Sequence, residues 1–402
     1  MNSNYPHSPH PKSAIGLPGF NREINASQVM DLIYKQGPIS RAELVKQTGI
    51  KAKTISSIVD QFIHQGLIDE VGLAKSTGGR PPVLYEIRPS GLHVIGIEIR
   101  HCEMKAVLVD LSGTLLTSHS KKLKDTSVDT VIVQAKTMVQ ELCDAAKIAC
   151  DKLDGIGITL PGFVDSEQKS VVFSASLDWE DVPFGHLLTD TLNVDVRIFN
   201  DAVANVINIC FQKRRETPQS VLMYYVNFDD RHCVFIDFGF AFALNGRAYL
   251  GHRNMVGELT VHLKNPFQQL KESQRSEHFS NYRELAAASL KDQELADELW
   301  SPLTKVLANE MVRGSNMLNP AEIVISSNLP EFEAIVGTSI QEIFAQLSMP
   351  VMLQRRMKNK QLISMPKLGF QIRKSTDIAL GGTLPFIQKF YNPPSIRKEQ
   401  II

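Results

Sequence analysis

Residues 95–110 read "IGIEIRHCEMKAVLVD", and two runs within them set the class of the fold. Ile95, Ile97 and Ile99 alternate with Gly96, Glu98 and Arg100, the period of a β-strand. Ala106 to Val109 form a second apolar run that ends at Asp110. Between them, Arg100, His101, Cys102 and Glu103 allow only a tight turn. From residue 92 onward strands and helices alternate, the pattern of an α/β domain. "DTVIVQAKTMVQELCDAAKIAC" (129–150) has the 3.6-residue period of an amphipathic helix. "LDGIGITLPGFVD" (153–165) is an apolar strand that ends in the turn Pro161–Gly162. "VDVRIFNDAVANVINI" (194–209) is a buried strand running through Asn200–Asp201 into a helix. A polar pair at the carboxyl end of a strand, beside a helix N-terminus, is where open α/β sheets place ligands. Asp201 also suits a second reading, as the cap of a helix starting at Ala202. Trp179 is read as packing.

Bulk properties bound the rest. A chain of 402 residues exceeds what one compact core holds, so two or three domains are expected. At 43% hydrophobic and 21% charged residues the composition is that of a globular protein. Lys plus Arg equals Asp plus Glu at 43 each, so net charge selects no partner. Residues 1–90 carry ten Lys/Arg against seven Asp/Glu, which biases that segment mildly towards an anionic partner. The five cysteines are odd in number and form no C-x-x-C pair, which suits free thiols in a reducing cytoplasm. No apolar run approaches the roughly 20 residues of a membrane helix. The start "MNSNYPHSPHPKS" is polar and lacks an h-region, so residues 1–20 are expected to be a mobile tail and not a secretory signal. A cytoplasmic location with no membrane insertion follows.

Residues 21–88 form a separate unit. Asn25 is placed as the cap of a first helix with the stripe Val29, Leu32 and Ile33. "QGPIS" breaks it. Ser40 to Glu43, "SRAE", is a capping box that opens a second helix ending near Gly49. A third helix begins at about Lys51, buries Ile55, Val59, Phe62 and Ile63, and ends at Gly66. Two helices joined by a few residues around a glycine make helix-turn-helix geometry. The third helix presents Lys51, Ala52, Lys53, Thr54, Ser56 and Ser57, and the second begins with Ser40 and Arg41; these are residue types that contact bases and phosphates in a major groove. "LIDEVG", "LAKSTGGRPP" and "VLYEI" (67–87) read as strand, tip and return strand, a wing. Arg80, held between Gly79 and Pro81, is expected in a narrow minor groove. A protein-interaction module is the alternative for the same elements.

The stretch "ISRAELVKQTGIKAKTISSIVDQFIHQGLIDEVG…STGGRPPVLYEI" resembles the DNA-binding head of the repressor branch of the ROK family (repressors, open reading frames, sugar kinases), of the N-acetylglucosamine/xylose repressor type. The later segments resemble the ROK body. The resemblance implies an α/β protein with an N-terminal winged helix-turn-helix followed by a two-lobed actin-like (ribonuclease H-like) sugar-kinase fold. It divides the chain into the tail 1–20, the head 21–88, a first lobe 92–202 plus about 378–395, and a second lobe 203–377 with a dimerisation surface. In the family's kinases a Pro-Gly turn, an Asn-Asp pair and a Gly-Glu-Ile-Gly-His run surround a hexose, and the Asp is the general base. By motif these positions fall on Pro161, Gly162, Asn200, Asp201, Gly257 and Glu258. Ser174, Leu177 and Trp179 fall in the substrate loop, and Glu284 matches the Glu after the family's cysteine cluster.

The departures decide what the resemblance implies for activity. Phosphoryl transfer requires backbone N–H groups to reach the triphosphate without Cβ atoms in the way. The family's Asp-x-Gly-Gly-Thr turn reads Glu98, Ile99, Arg100, His101, Cys102 here. Its glycine-spaced hairpin reads "DFGFAFALNG" (237–246), and its adenosine-side Gly-Gly reads Ser326, Ser327, Asn328. Gly381 and Gly382 are assigned to helix packing. The zinc cluster of the family has no cysteines here; Thr260 and Val261 replace its Gly and His, and His262 with His278 lacks a third ligand. Neither ATP nor zinc is expected. The chain therefore reads as a non-enzymatic, sequence-specific DNA-binding regulator of sugar-metabolism genes, a repressor, whose body senses a sugar or sugar phosphate. Partners are operator DNA, that effector, a second copy or three more (homodimer or homotetramer), and in some relatives a protein. The alternatives are a hexose kinase with an attached head, and a constitutive DNA binder whose body only dimerises.

Overall fold

The computed structural model describes residues 18–73, 81–213, 220–228, 236–251, 256–257, 265–272, 278–356 and 366–391. The chain opens with helix α1 (Pro18–Gln36), strand β1 (Ile39–Ser40), helices α2 (Arg41–Thr48) and α3 (Ala52–His64), and strands β2 (Ile68–Leu73) and β3 (Val83–Ile87). The strands pair antiparallel in the order β1-β3-β2. Val29, Met30, Ile33, Leu44, Ile55, Ile58, Val59 and Phe62 bury the faces on which the three helices meet. α1 begins at Pro18, so Asn25 lies inside the helix and does not cap it; a proline suits the first turn, where its missing N–H has no partner to lose. Ser40 caps α2 by accepting from Glu43 N at 3.2 Å. The reciprocal half of the expected box is replaced, since Glu43 Oε1 accepts from Gln47 Nε2 at 3.0 Å. Gly49 (φ 69°) and Gly66 (φ 71°) end α2 and α3 in the left-handed region where glycine costs least.

The first lobe of the body comprises β4 (His93–Arg100), β5 (Glu103–Asp110), β6 (Leu115–Lys122), α4 (Val128–Ala146), β7 (Gly155–Leu160), β8 (Phe163–Asp165), β9 (Ser170–Ser174), β10 (Trp179–Val182), α5 (Phe184–Leu192) and β11 (Val196–Asn200). Its main sheet has the order β11-β7-β4-β5-β6, parallel from β11 to β4 and antiparallel from β4 to β6. β8, β9 and β10 make a small antiparallel sheet beside it. Helix α6 (Asp201–Gln212) leads into the second lobe: β12 (Val221–Phe228), β13 (Ile236–Leu244), β14 (Arg247–Ala248), α7 (Pro266–Glu272), α8 (Tyr282–Ser289), α9 (Gln293–Leu318), β15 (Glu322–Ser327), α10 (Phe332–Leu347), α11 (Met349–Arg356) and β16 (Lys367–Ile372). That sheet has the order β14-β13-β12-β15-β16, with β12, β15 and β16 parallel. The chain then returns through α12 (Asp377–Tyr391) to pack on β4 and β7. β4, β7 and β12 are covered on both faces, which is why their sequences are nearly continuous apolar runs.

Glycines set the distance between α12 and its supports. A Cβ on Gly96 would lie 1.9 Å from Ala379 O, one on Gly157 1.9 Å from Gly382 O, and one on Gly381 2.0 Å from Ala204 O. The backbone of α12 therefore rests on the backbones of β4, β7 and α6. The head joins the body through the same helix. Tyr34 of α1 meets the Tyr391 ring edge-on at 4.7 Å and lies 6.3 Å from Phe211 of α6, and its hydroxyl donates to Ser112 O at 3.2 Å. Tyr391 Oη donates to Leu111 O at 2.8 Å. Cys102, Cys143, Cys150 and Cys210 are free thiols, and burial pushes those of Cys143 and Cys210 up to about 12. Among the described residues no helix is long and apolar enough to cross a membrane.

Gly157→Ala is expected to destabilise the body by about 1–3 kcal/mol, because backbone cannot yield as a flexible side chain can. A lowered urea midpoint with an unchanged slope is the result to look for. Gly246→Ala, where a Cβ meets nothing within 4 Å, serves as the control that loses only glycine's tolerance of positive φ.

Candidate functional site

The strand ends of the two lobes face each other across a cleft. It is lined by Pro161, Gly162, Asn200, Asp201, Ala202, Tyr225, Phe238, Gly239, Phe240, Val256 and Gly257, and its volume is about 180 Å³. Pro161, Gly162, Asn200 and Asp201 were expected there from sequence. Tyr225, Phe238, Phe240, Val256 and Ala202 were not assigned to it.

Local chemistry fixes each wall. Gly162 has φ 121°, and a Cβ there would lie 2.3 Å from Phe173 O. Ser174 Oγ donates to Pro161 O at 2.6 Å, so the substrate-loop serine is spent on holding the turn. Gly257 has φ 105°, and a Cβ would lie 2.0 Å from Phe240 O. Asn200 is the N-cap of α6: its Oδ1 accepts from Ala202 N at 2.8 Å and Val203 N at 3.3 Å, and its Nδ2 donates to Gly162 O at 3.0 Å. Asn200 rather than Asp201 therefore closes the helix start, which begins one residue earlier than Ala202. Asp201 is the first helical residue; its Oδ1 accepts from Ala202 N at 2.8 Å, and its side chain is largely buried at the cleft wall. A carboxylate in the first turn is stabilised by the helix dipole.

Below this wall stands Arg100. Its Nε donates to Glu98 Oε1 and its Nη2 to Tyr225 Oη, both at 2.5 Å. Burial opposes its charge, yet Tyr225, Glu98 and Asp201 hold its pKa well above the ordinary arginine value. On the other side of Tyr225, the Arg373 guanidinium lies 4.6 Å over the ring and donates to Asn227 Oδ1. Phe238 stacks on Tyr224 at 6.1 Å. At the ends of β15, Ser326 Oγ accepts from Asn205 Nδ2 at 2.8 Å, and Asn328 exchanges two hydrogen bonds with the Phe228 backbone at 2.8 and 2.9 Å.

One expectation is corrected. Glu284 is exposed on α8, where its carboxylate accepts from Ser280 N at 2.8 Å and Asn281 Nδ2 at 3.0 Å; it belongs to a helix cap and not to the cleft. Ser40 is committed to its own cap. Arg41 donates to Asp60 at 2.6 Å and lies 5.2 Å over the Tyr85 ring, which ties α2 to α3 and β3. On α3, Lys51, Ala52, Lys53 and Ser57 are exposed, while Thr54 and Ser56 are half-buried. Arg80, Glu258 and His262 lie outside the described residues, and His278 is exposed. Trp179 packs on Phe184 at 4.9 Å and donates to Thr126 O at 2.6 Å. Among the described residues no group of three metal-ligating side chains converges.

The geometry is that of a two-lobed α/β body with an interlobe cleft, carrying a small helical head on its last helix. Residues 94–271 match the ROK family. It is similar to the "Xylose repressor" of Bacillus spizizenii, 31% identical over 46% of this chain and 48% of that protein, so it spans about half the length of that relative. It is also 22% identical to the "DNA-binding transcriptional dual regulator NagC" of Escherichia coli over 83% of this chain and 87% of that one. Among solved structures, a ROK family transcriptional regulator described as a homolog of the E. coli MLC protein has a TM-score of 0.74 at 20% identity, covering 93% of this chain and 98% of that chain. The ROK hexokinase of Thermus thermophilus has a TM-score of 0.55 at 16% identity, over 73% of this chain and 97% of that chain. At these identities the structures speak for the fold, a sugar-kinase-like body.

Asn200→Ala is expected to cost about 1–2 kcal/mol, the loss of a helix cap plus the tie to Gly162. Asn200→Ser, which keeps a cap acceptor and loses the amide donor to Gly162, should cost less. Urea unfolding of the two variants measures the difference.

Proposed function

We propose that the chain is a sugar-responsive transcriptional repressor acting in the cytoplasm, with a winged helix-turn-helix head over residues 18–87 and a non-catalytic ROK body. The observation that carries the reading is the placement of α6. The helix begins at the cleft with Asn200–Asp201 and ends with Phe211 beside Tyr34 of the head helix. One rigid element thus touches both the candidate effector site and the candidate DNA-binding unit. An effector that favours one placement of α6 shifts the head only by its differential affinity for the two placements. The names of the similar repressors support the same reading.

The donor set supports a sugar or sugar phosphate as effector: a carboxylate at Asp201 and the amide of Asn200 can meet hydroxyls, and Tyr225, Phe238 and Phe240 supply aromatic faces. A nucleotide does not fit as it does in a ROK kinase. What supports this is the side chains at the three glycine places: Arg100 bonded to Tyr225 at the first, Phe238 at the hairpin, and Asn328 bonded to the Phe228 backbone at the third. A zinc cluster does not fit either, since no cysteine follows Cys233 in the sequence. Operator DNA would be met by Lys51, Ala52, Lys53, Thr54, Ser56 and Ser57 of α3, with Arg80 of the wing in the minor groove. Two heads on a pseudo-palindromic site require a homodimer or a homotetramer.

Selection from a random duplex pool gives the operator, and titration of the protein–operator complex with neutral hexoses, pentoses, N-acetylhexosamines and their 6-phosphates gives the effector. One of these ligands should release or tighten the operator at least fivefold. Phosphorylation of any of them with ATP would overturn the reading. Lys53→Ala should weaken operator and non-operator DNA about equally and lower the salt slope by about 1, as the loss of one phosphate contact does. Fluorescence anisotropy at several salt concentrations measures it.

A further inference from the structure

We propose that Arg100 is the tie that fixes the angle between the two lobes, a positioning residue standing where the kinases of the family hold nucleotide phosphate. The inference rests on the reading of the body as free of nucleotide, and it adds what takes the nucleotide's place. Arg100 ends β4, in the first lobe; Tyr225 lies on β12, in the second. The hydrogen bond from Arg100 Nη2 to Tyr225 Oη at 2.5 Å therefore crosses the base of the cleft between residues 125 positions apart.

Both ends of that bond are anchored. On the first lobe, Glu98 pairs with Arg100 Nε and is itself only 4% exposed, so the guanidinium cannot swing out without stranding a buried carboxylate. On the second lobe, Arg373 covers the ring of Tyr225, and the strand register sets Tyr225 between Gly239 of β13 and Ser326 of β15. A bond between two such fixed points transmits an angle, whereas one between two long surface side chains does not. Asp201 adds to the charge balance at Arg100 from the cleft wall. Asp201 and Tyr225 both line the cleft, so whatever occupies it touches two of the groups that surround Arg100. A bound ligand is thereby coupled to the lobe angle through groups already in place.

The test uses the full chain without DNA or sugar. Tyr225→Phe removes one hydroxyl and leaves the Glu98–Arg100 pair whole; Arg100→Met removes the tie and the pair. Small-angle scattering should give a larger radius of gyration for both variants than for the wild-type chain, and the double variant should be no larger than Arg100→Met. In thermal unfolding, Tyr225→Phe should lower the Tm by roughly 2 °C in the wild-type background and by almost nothing in the Arg100→Met background. Tyr225→Phe with wild-type scattering, or with the same Tm loss in both backgrounds, would overturn the proposal. Should Arg100→Met fail to fold, the scattering of Tyr225→Phe alone decides it. Since neither readout involves DNA or an effector, failure of the tie stays separate from failure of the repressor reading.

Discussion

Backbone-on-backbone contact between α12 and the first-lobe sheet is the constraint on which the rest of the molecule depends. Gly96 and Gly157 on adjacent strands remove the side chains that hold a helix off a sheet, and Gly381 does the same against α6. The last described helix consequently sinks into the body built by residues some 200–300 positions earlier. It supplies Ile378, Leu384, Phe386 and Ile387 to the cores on either side of it. It also offers Tyr391 to the head. Without that close approach α6 would lose its main neighbour and α1 its seat.

α6 is buried along nearly its whole length, from Asp201 to Phe211, including the polar Asn205 and Asn208. Asn205 spends its amide on Ser326 of the second lobe, while among the described residues its Oδ1, and Nδ2 of Asn208, show no hydrogen-bond partner. A shift of one lobe against α6 has apolar contacts to lose. The head, sharing one hydrophobic cluster with Val203, Ile207 and Phe211, would follow such a shift.

The sequence disclosed those parts of the molecule whose chemistry is local. The strand pair at 93–110, the Ser40 cap, the left-handed Gly49 and Gly66, and the Pro161–Gly162 turn each follow from a few neighbouring residues. Errors arose where competing local signals had to be ranked. Asn25 resembles a cap, but the helix starts at a proline upstream. Asn200 and Asp201 are both capping residues, and only the tie from Asn200 to Gly162, 38 positions away, settles which one turns to the backbone. Tyr225 was invisible because an apolar run such as Val221–Phe228 states its burial and says nothing about which residue faces the cleft. Glu284 was placed by the family resemblance alone, across a stretch whose cysteines are missing, and in the structure it serves its own helix start.

Arg100 shows how a substitution read as an obstruction acquires a partner in three dimensions. From sequence, its bulk simply closes the space that glycines leave open. In the structure its charge answers two buried carboxylates, Glu98 and Asp201, that would otherwise repel one another across the base of the cleft. Here the positive charge is covalently part of the first lobe and is satisfied before any ligand arrives. The base of the cleft therefore balances its own charge. On the proposed reading, a ligand offering Asp201 and Tyr225 contacts that compete with those of Arg100 would change the lobe angle, and recognition and movement would be a single event at one set of atoms.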